Sequence, residues 1–222
     1  QGGRLSVYFA AVDLGQLVDY SALAIIRRVD PPEWEETTTV VRGTVWRERR
    51  LAQDPPPVVW HLVHLERWRG RPYTAVIDAV KKRLDALGEG VTLCLDYTGV
   101  GVPCFDLARE RGLWPYGITI HGGDRVTRDG QVYHVPKRDL VGVVQIMLQN
   151  GSLRIAENLP ERETLQRELG EFRVKIDPAT AHDTYSAWRE KAHDDLVLSV
   201  ALAAWLGQNL AGTVQYAPSL WQ

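Results

Sequence analysis

Residues 5–28, LSVYFAAVDLGQLVDYSALAIIRR, determine how the chain begins to fold. Leu5–Leu14 is an apolar run that closes in Asp-Leu-Gly, which predicts a strand ending in a turn. Asp19–Arg28 predicts a second strand that returns beside the first, so a hairpin is the natural join. The chain therefore opens with antiparallel strands, and the first strand ends close to an acid, Asp13.

Beyond this hairpin the sequence pattern changes twice. Residues 30–57 carry two proline clusters around a charged, β-rich stretch, which predicts a long excursion or insertion, and Val58–Trp68 predicts another strand. From residue 72 onward, helical segments alternate with short strands. The strands are predicted at Val91–Asp96, Trp114–His121, Leu153–Ala156 and Phe172–Ile176, the helices at Pro72–Leu87, Pro103–Arg111, Pro136–Gln149 and Glu161–Gly170, and a hairpin at Asp129-Gly130.

The last predicted helix begins near Asp194, runs to about Asn209 and is almost continuously apolar. Such a helix must be buried on most sides. Antiparallel strands, then alternating strands and helices, then a buried helix predict a mixed α/β sheet with helices on both faces. We expect one domain over residues 5–210, with the insertion at 30–57 inside it and a C-terminal tail over 211–222.

Composition limits the classes of function. The 222 residues carry a formal net charge of −2, which excludes a protein that is basic over its whole surface. Any contact with nucleic acid must therefore be a local groove or patch. No run approaches the roughly 18 apolar residues of a membrane span, so we expect no membrane partner.

Cys94 and Cys104 are predicted to be reduced, buried thiols of a cytosolic protein. The Gln-Gly-Gly start, with Met147 the sole methionine, predicts a piece of a larger protein.

Four acids fall at the ends of predicted core elements: Asp13, Asp96, Asp194 and Asp195. If the two acid-bearing strands are neighbours, Asp13 and Asp96 leave the sheet together, and the helix start can close the cluster. Charges beside apolar runs are costly unless they are paired or bound to metal, and oxygen ligands favour Mg²⁺ or Mn²⁺ over Zn²⁺. Two such ions roughly 3.5–4 Å apart suit phosphodiester hydrolysis, with Asp13 as the candidate bridge between them.

Each acid also has a structural interpretation. Asp13 and Asp96 can be turn residues. Asp194 can be an N-cap, and Asp195 can be a first-turn acid that complements the helix dipole. The functional interpretation depends on the combination of the four acids.

Three stretches of the sequence resemble motifs of the nuclease domain of the large terminase subunit of tailed bacteriophages. They are VDLGQLVDYSALAII, LCLDYTGVGVPCFDLARERG and HDDLVLSVALAAW, and they occur in the family's order. The intervening VPKRDLVGVVQIML, GSLRIAENLPERETLQREL and EFRV are also similar to family segments. The resemblance covers the chain from Leu5 to Leu206.

This resemblance implies a ribonuclease-H-like fold and a metal-dependent endonuclease that cleaves double-stranded viral DNA with little sequence specificity during genome packaging. It implies metal ions held by the acids at Asp13, Asp96 and Asp194 or Asp195, and at most an auxiliary role for Asp19. It also implies an upstream ATPase domain, a portal and a small terminase subunit as partners, in the cytoplasm of the infected bacterial host cell. No GxxxxGK[ST] loop of an ATPase motor occurs in the sequence, so this chain would cut but not pump.

DNA contacts are expected from basic residues around the Asp129-Gly130 hairpin and the helix start that follows it, since a groove that tracks the DNA backbone needs cations near the metals. These residues are Arg125, Arg128, Lys137 and Arg138. A solvated polar hairpin explains them equally well.

Lys191 and His193 precede the acid pair and are candidate auxiliary residues for a proton or a phosphate, with a surface or capping contact as the alternative.

Three other functions remain open from the sequence. A Holliday-junction resolvase or transposase core would share the metal site and differ in substrate shape. An actin-like or sugar-kinase-like ATPase is suggested faintly by residues 13–15 and 96–99, although that fold needs a longer chain. A non-catalytic DNA-binding module would use the acids only as caps.

Overall fold

The structure is a computed structural model that describes residues 7–15, 19–31, 34–41, 44–51, 57–88, 90–175 and 194–210. Ten strands and five helices lie within these ranges. The strands are β1 (Val7–Asp13), β2 (Tyr20–Val29), β3 (Trp34–Val41), β4 (Thr44–Leu51), β5 (Val59–Arg69), β6 (Val91–Asp96), β7 (Tyr116–His121), β8 (Thr127–Asp129), β9 (Val132–Pro136) and β10 (Leu153–Ile155). The helices are α1 (Tyr73–Leu87), α2 (Gly101–Glu110), α3 (Lys137–Gln149), α4 (Arg162–Lys175) and α5 (Asp195–Leu210).

Eight of these strands form one mixed sheet in the order β10-β5-β2-β1-β6-β7-β9-β8. The opening strands are antiparallel: β2 pairs with β1 from Val7↔Arg28 to Asp13↔Ala22, and β5 pairs with the other edge of β2. From β1 outward the sheet becomes parallel through β6, β7 and β9. The predicted mixed sheet, with antiparallel strands followed by βα units, is confirmed.

Helices cover both faces of this sheet, as predicted. Alternate residues of a strand point to opposite faces. In β1, Phe9 and Ala11 pack in the cluster that includes α3, α4 and α5, whereas Ala10 and Val12 pack in the cluster that includes α1 and α2. The α5 face and the α1–α2 face of the sheet are thus two separate cores.

The α5 helix lies across the central strands β1 and β2 and against α3. Its side chains are buried almost all round, from Leu196 to Leu206, which is the environment that a continuously apolar helix requires. Gly207 permits the close approach at its end, because a Cβ there would lie 2.6 Å from Cζ3 of Trp60. Burial of this helix fixes the position of its first residues at the end of the sheet.

Two details concern the sequence predictions. Phe172–Ile176 was predicted to be a strand, and this prediction is wrong for the described residues, because α4 continues through Lys175. Within the predicted insertion, β3 and β4 pair from Trp34↔Leu51 to Val41↔Thr44 in a two-stranded sheet of their own. Both cysteines are buried and unbridged, as expected. No helix in the described ranges has the length and apolar character needed to cross a bilayer.

Candidate metal centre

Two carboxylates meet where the parallel strands β1 and β6 finish. Their register aligns Val12 with Leu95, so the last residues of the two strands, Asp13 and Asp96, lie side by side. Both follow the alternation that points Ala11 and Cys94 into the α5 core, so both face α5. Each is 7% exposed. We call this end of the sheet the acid end.

Glycines make the turns beyond both strands possible. A Cβ at Gly15 would overlap the carbonyl oxygen of Tyr20, and a Cβ at Gly101 would overlap the carbonyl oxygen of Asp96. In the second turn, Oδ1 of Asp96 accepts a hydrogen bond from the backbone N–H of Thr98 at 2.8 Å. Asp96 therefore begins a turn, as its structural interpretation supposed, while also facing Asp13.

The start of α5 brings the acid pair to the same place. The carbonyl oxygen of Asp194 accepts the first helical hydrogen bond, from Leu198 N–H at 2.9 Å, which makes Asp194 the N-cap residue. Asp195, the first helical residue, is 8% exposed. The negative charges of both residues act on Asp13. The structure thus places the other three acids that the sequence singled out within electrostatic reach of Asp13.

The environment of Asp13 raises its pKa well above the usual range for aspartate. Burial is the largest cause, followed by the negative charges of Asp96, Asp195 and Asp194 and by a side-chain hydrogen bond with Asp96. Because a neighbouring negative charge and burial both disfavour the ionised form of a carboxyl, Asp13 holds its proton to a higher pH than an ordinary aspartate does.

Glu168 of α4 joins this cluster, and sequence reasoning missed it. Its Oε2 accepts hydrogen bonds from the backbone N–H groups of Leu196 and Val197, each at 3.1 Å. Its Oε1 lies 3.7 Å from Nη1 of Arg67 on β5. The side chain is buried, and burial raises its pKa to about 7, against the lowering effect of the Val197 hydrogen bond. The one local signal was its position three residues after Leu165, on the apolar face of a charged helix.

The donor set fits a hard divalent cation in chemical type. Carboxylate oxygens are the ligands that Mg²⁺ and Mn²⁺ prefer, and a cation would relieve the repulsion that raises the pKa of Asp13. The four acids do not form a complete metal site in this arrangement. Among the described residues, no three His, Cys, Asp or Glu side chains are grouped so that they could hold a metal ion. Binding would therefore require the Asp13–Asp96 hydrogen bond to open and its proton to leave.

Of the three predicted auxiliary residues, only Asp19 lies within the described part of the chain. Asp19 is exposed immediately before β2, at the acid end, where its charge contributes to a raised pKa of Tyr73 after the larger effects of burial and of Cys104. Lys191 and His193 lie outside the described residues. Their roles stay predictions.

The predicted DNA-contacting residues lie beside the acid end, on the β7–β9 side. Arg125 is exposed in the connection that follows β7, and Lys137 begins α3 directly after β9. Arg138 is ion-paired with Asp124 at 2.7 Å. Arg128 lies over the ring of Tyr133, 4.8 Å from its centroid, and its Nε donates to the carbonyl oxygen of Gly130 at 2.7 Å.

A second basic segment lies on the other side of the acids. Arg69 is the last residue of β5, pairs in register with Tyr20 and is exposed, and Arg71 follows it in an exposed turn. Since β5 runs parallel to β1, this turn also lies at the acid end. The sequence reasoning did not select these arginines, although the string Trp-Arg-Gly-Arg-Pro at the end of a predicted strand was a usable signal.

No protein-family model matches the chain. No curated protein matches it either.

The fold, in contrast, has solved counterparts. The mixed sheet with its acid-bearing central strands and flanking helices defines a ribonuclease-H-like α/β domain. The human cytomegalovirus terminase nuclease domain, in a manganese-soaked, inhibitor-bound structure, superposes with a TM-score of 0.51 over 93% of this chain and 85% of that chain, at 10% sequence identity. That likeness establishes a shared fold.

Two structures of the large terminase nuclease from the thermophilic phage G20c are also similar. The structure with bound zinc has a TM-score of 0.49 and 17% identity and covers 89% of this chain and 80% of that chain. The other has a TM-score of 0.44 and 13% identity and covers 89% of this chain and 81% of that chain.

Proposed function

We propose that this chain is a divalent-metal-dependent endonuclease domain that cleaves double-stranded DNA with little sequence specificity during viral genome packaging. The metal ligands are Asp13, Asp96, Asp194 and Asp195, and two Mg²⁺ or Mn²⁺ ions bind among them. By the resemblance in its motifs, the chain works with an ATPase domain, a portal and a small terminase subunit in the cytoplasm of an infected bacterium.

One observation carries this proposal: acids from three distant parts of the sequence converge, buried, at one end of one sheet. Burial and the neighbouring acids raise the pKa of Asp13, which means that its charged form is costly in this fold, and a divalent cation bound among the acids would offset that cost. The fold also agrees with the proposal, because the human cytomegalovirus terminase nuclease domain shares it.

The residues divide the work by their positions. When bound, divalent ions supply an activated water and neutralise charge on the scissile phosphate and its leaving oxygen. Asp13 lies beside Asp96 and within the influence of Asp194 and Asp195, so it would be the ligand that the ions share. Asp96 is held in a fixed turn by the Thr98 N–H. Asp194 and Asp195 approach from the helix that covers this face of the sheet.

The DNA backbone crosses the acid end from β5 to β9, with the acids in the middle. Arg69 and Arg71 contact phosphates on one side, and Arg125, Lys137 and Arg138 contact them on the other. Five inter-strand spacings of about 4.8 Å separate β5 from β9, so the path is about 24 Å long, or roughly seven base pairs. Arg128 is level with Asp96 in the sheet register and supports the outer end of this path.

The test is nicking of supercoiled plasmid by the purified chain in Mn²⁺. Asp13→Ala and Asp96→Ala should each lower the rate by about 1,000-fold or more, because a bound metal supplies several kcal/mol of transition-state stabilisation. Asp85→Ala is the matched control on the surface of α1, and it should cut at the wild-type rate. Undiminished cutting by a folded Asp13 or Asp96 variant would refute the site. A linear duplex and a four-way junction as parallel substrates separate the packaging nuclease from a resolvase.

A further inference from the structure

We propose that Glu168 is a positioning residue for the acid pair at the start of α5. It caps α5 from a neighbouring helix and thereby fixes the place of the first turn, which carries Asp194 and Asp195. This inference rests on the proposed metal-dependent nuclease function, because positioning has a purpose only where those two acids bind metal.

The capping geometry identifies the role. An N-cap side chain ordinarily accepts a hydrogen bond from the N–H of the second or third helical residue. In α5, whose N-cap is Asp194, those residues are Leu196 and Val197, and both N–H groups donate to Oε2 of Glu168. The acceptor therefore comes from another helix, α4.

Glu168 also connects α5 to the paired strands β5, β2 and β1, the last of which carries Asp13. Its other oxygen, Oε1, faces Arg67 at 3.7 Å. Arg67 pairs in register with Ala22 of β2, and Ala22 pairs with Asp13 of β1, so the three residues form one row across the sheet. Side chains in such a row lie on the same face of the sheet. The contact between Arg67 and Glu168 thus fixes how far the first turn of α5 lies from Asp13.

Arg67 is itself held in place by its surroundings. Its guanidinium lies 4.0 Å from the centroid of the Tyr20 ring, and its Nη2 lies 3.5 Å from Oε2 of Glu161. A buried ion pair contributes little net stability, and its best-supported use is to specify one arrangement over others. A carboxylate whose charge is disfavoured by burial and by Asp194 and Asp195 is a costly cap for a purely structural purpose. The arrangement is explained if a precise position of Asp194 and Asp195 is what it secures.

The experiment compares three variants on α4. Glu168→Ala removes the cap. Glu168→Asp keeps the charge and draws the oxygens back by one methylene, and it serves if the alanine variant does not fold. Glu163→Ala, at an exposed position of the same helix, is the matched control. The readouts are the affinity for Mn²⁺ alone by calorimetry, the kcat and KM for plasmid nicking, and the melting temperature without metal.

We expect Glu168→Ala to weaken Mn²⁺ binding by about 10–100-fold, as loss of a residue that orients metal ligands typically does. Its kcat should fall in proportion while KM for DNA stays near the wild-type value. Glu168→Asp should lie between wild type and the alanine variant, and Glu163→Ala should match wild type. A folded Glu168→Ala or Glu168→Asp protein with wild-type Mn²⁺ affinity and kcat, even with a lowered melting temperature, would overturn the positioning role.

The two proposals fail in different ways. If Asp13→Ala cuts normally, the metal site itself is wrong. If Asp13→Ala is inactive while the folded Glu168 variants bind Mn²⁺ and cut like wild type, the nuclease function stands and only the positioning role is lost.

Discussion

On the α1–α2 face of the sheet, Asp78 and Asp85 each form an ion pair with a basic residue, whereas on the α5 face Asp13 lies beside other acids. Asp85 is paired with Lys81 at 3.0 Å, and Asp78 is paired with Arg111 at 2.9 Å, all at the protein surface. On the other face, Asp13 is buried beside Asp96, and its pKa is raised because burial and neighbouring acids disfavour its charge. The first arrangement is what any folded surface produces. The second opposes folding, so it needs a reason beyond folding.

The largest effect expected from this contrast is the pH dependence of stability without metal. A carboxyl whose pKa is raised in the folded state keeps its proton where the unfolded chain has lost it, so stability falls between the unfolded and folded pKa values. For Glu168 that window runs from 4.5 to about 7. In EDTA, raising the pH across this window should cost the protein on the order of 2 kcal/mol from Glu168 alone, measured by urea denaturation at pH 5 and 7.5.

The Glu168→Gln variant isolates this term, because it has no proton to lose. The lowered pKa of His61, caused by burial and by neighbouring arginines, acts in the opposite direction by destabilising the protein at acid pH, and it is present in both proteins. The difference between wild type and Glu168→Gln should therefore change with pH even if the total hardly does. Saturating Mn²⁺ should stabilise wild type most at the higher pH, where the acids have released their protons. A pH-independent difference between the two proteins would show that Glu168 titrates normally.

A smaller effect is expected for the basic turn beside the acids. The double variant Arg69→Ala, Arg71→Ala should bind duplex DNA about 10-fold more weakly near 0.15 M salt, and the slope of log K against log salt should fall by about two. Fluorescence anisotropy without divalent ions measures both quantities and avoids cleavage. Arg111→Ala, which removes a paired arginine from the α1–α2 side, is the control and should bind like wild type. Equal weakening by both variants would mean that DNA follows net charge and has no fixed path across the acid end.

Four acids of the candidate site could be predicted from the sequence alone. Asp13 and Asp96 were predictable because each ends an apolar strand, and the alternation of the strands then dictates the face. The acid pair at 194 and 195 was predictable because it opens a helix that has to be buried. In these cases a local pattern and the global fold agree.

Other features depend on which elements pack together, and no local pattern records that. Glu168 and Glu163 lie in the same charged stretch, ERETLQREL. The spacing from Leu165 puts Glu168 on the apolar face of α4, but only the contact of α4 with α5 and β5 gives it its partners. The segment FRVK alternates like a strand, but it follows a helix with no proline to stop it, and Gly170 alone does not end α4. Arg67 becomes significant only through the register that aligns it with Asp13. Tertiary context decided each of these positions.

The smallest effect should come from the paired acids themselves. Asp85→Asn removes the charge that lies 3.0 Å from the Lys81 ammonium, in an exposed pair four residues apart on α1. Such pairs contribute roughly 0.3–0.5 kcal/mol, so the free energy of unfolding should fall by no more than that, and salt should erase the difference. Mn²⁺ affinity should not change, since α1 covers the opposite face of the sheet from the acids. A loss above about 1 kcal/mol would mean that this surface pair affects the free energy of unfolding about as much as the buried acids do. The pairing of charges would then no longer distinguish the α5 face from the α1–α2 face.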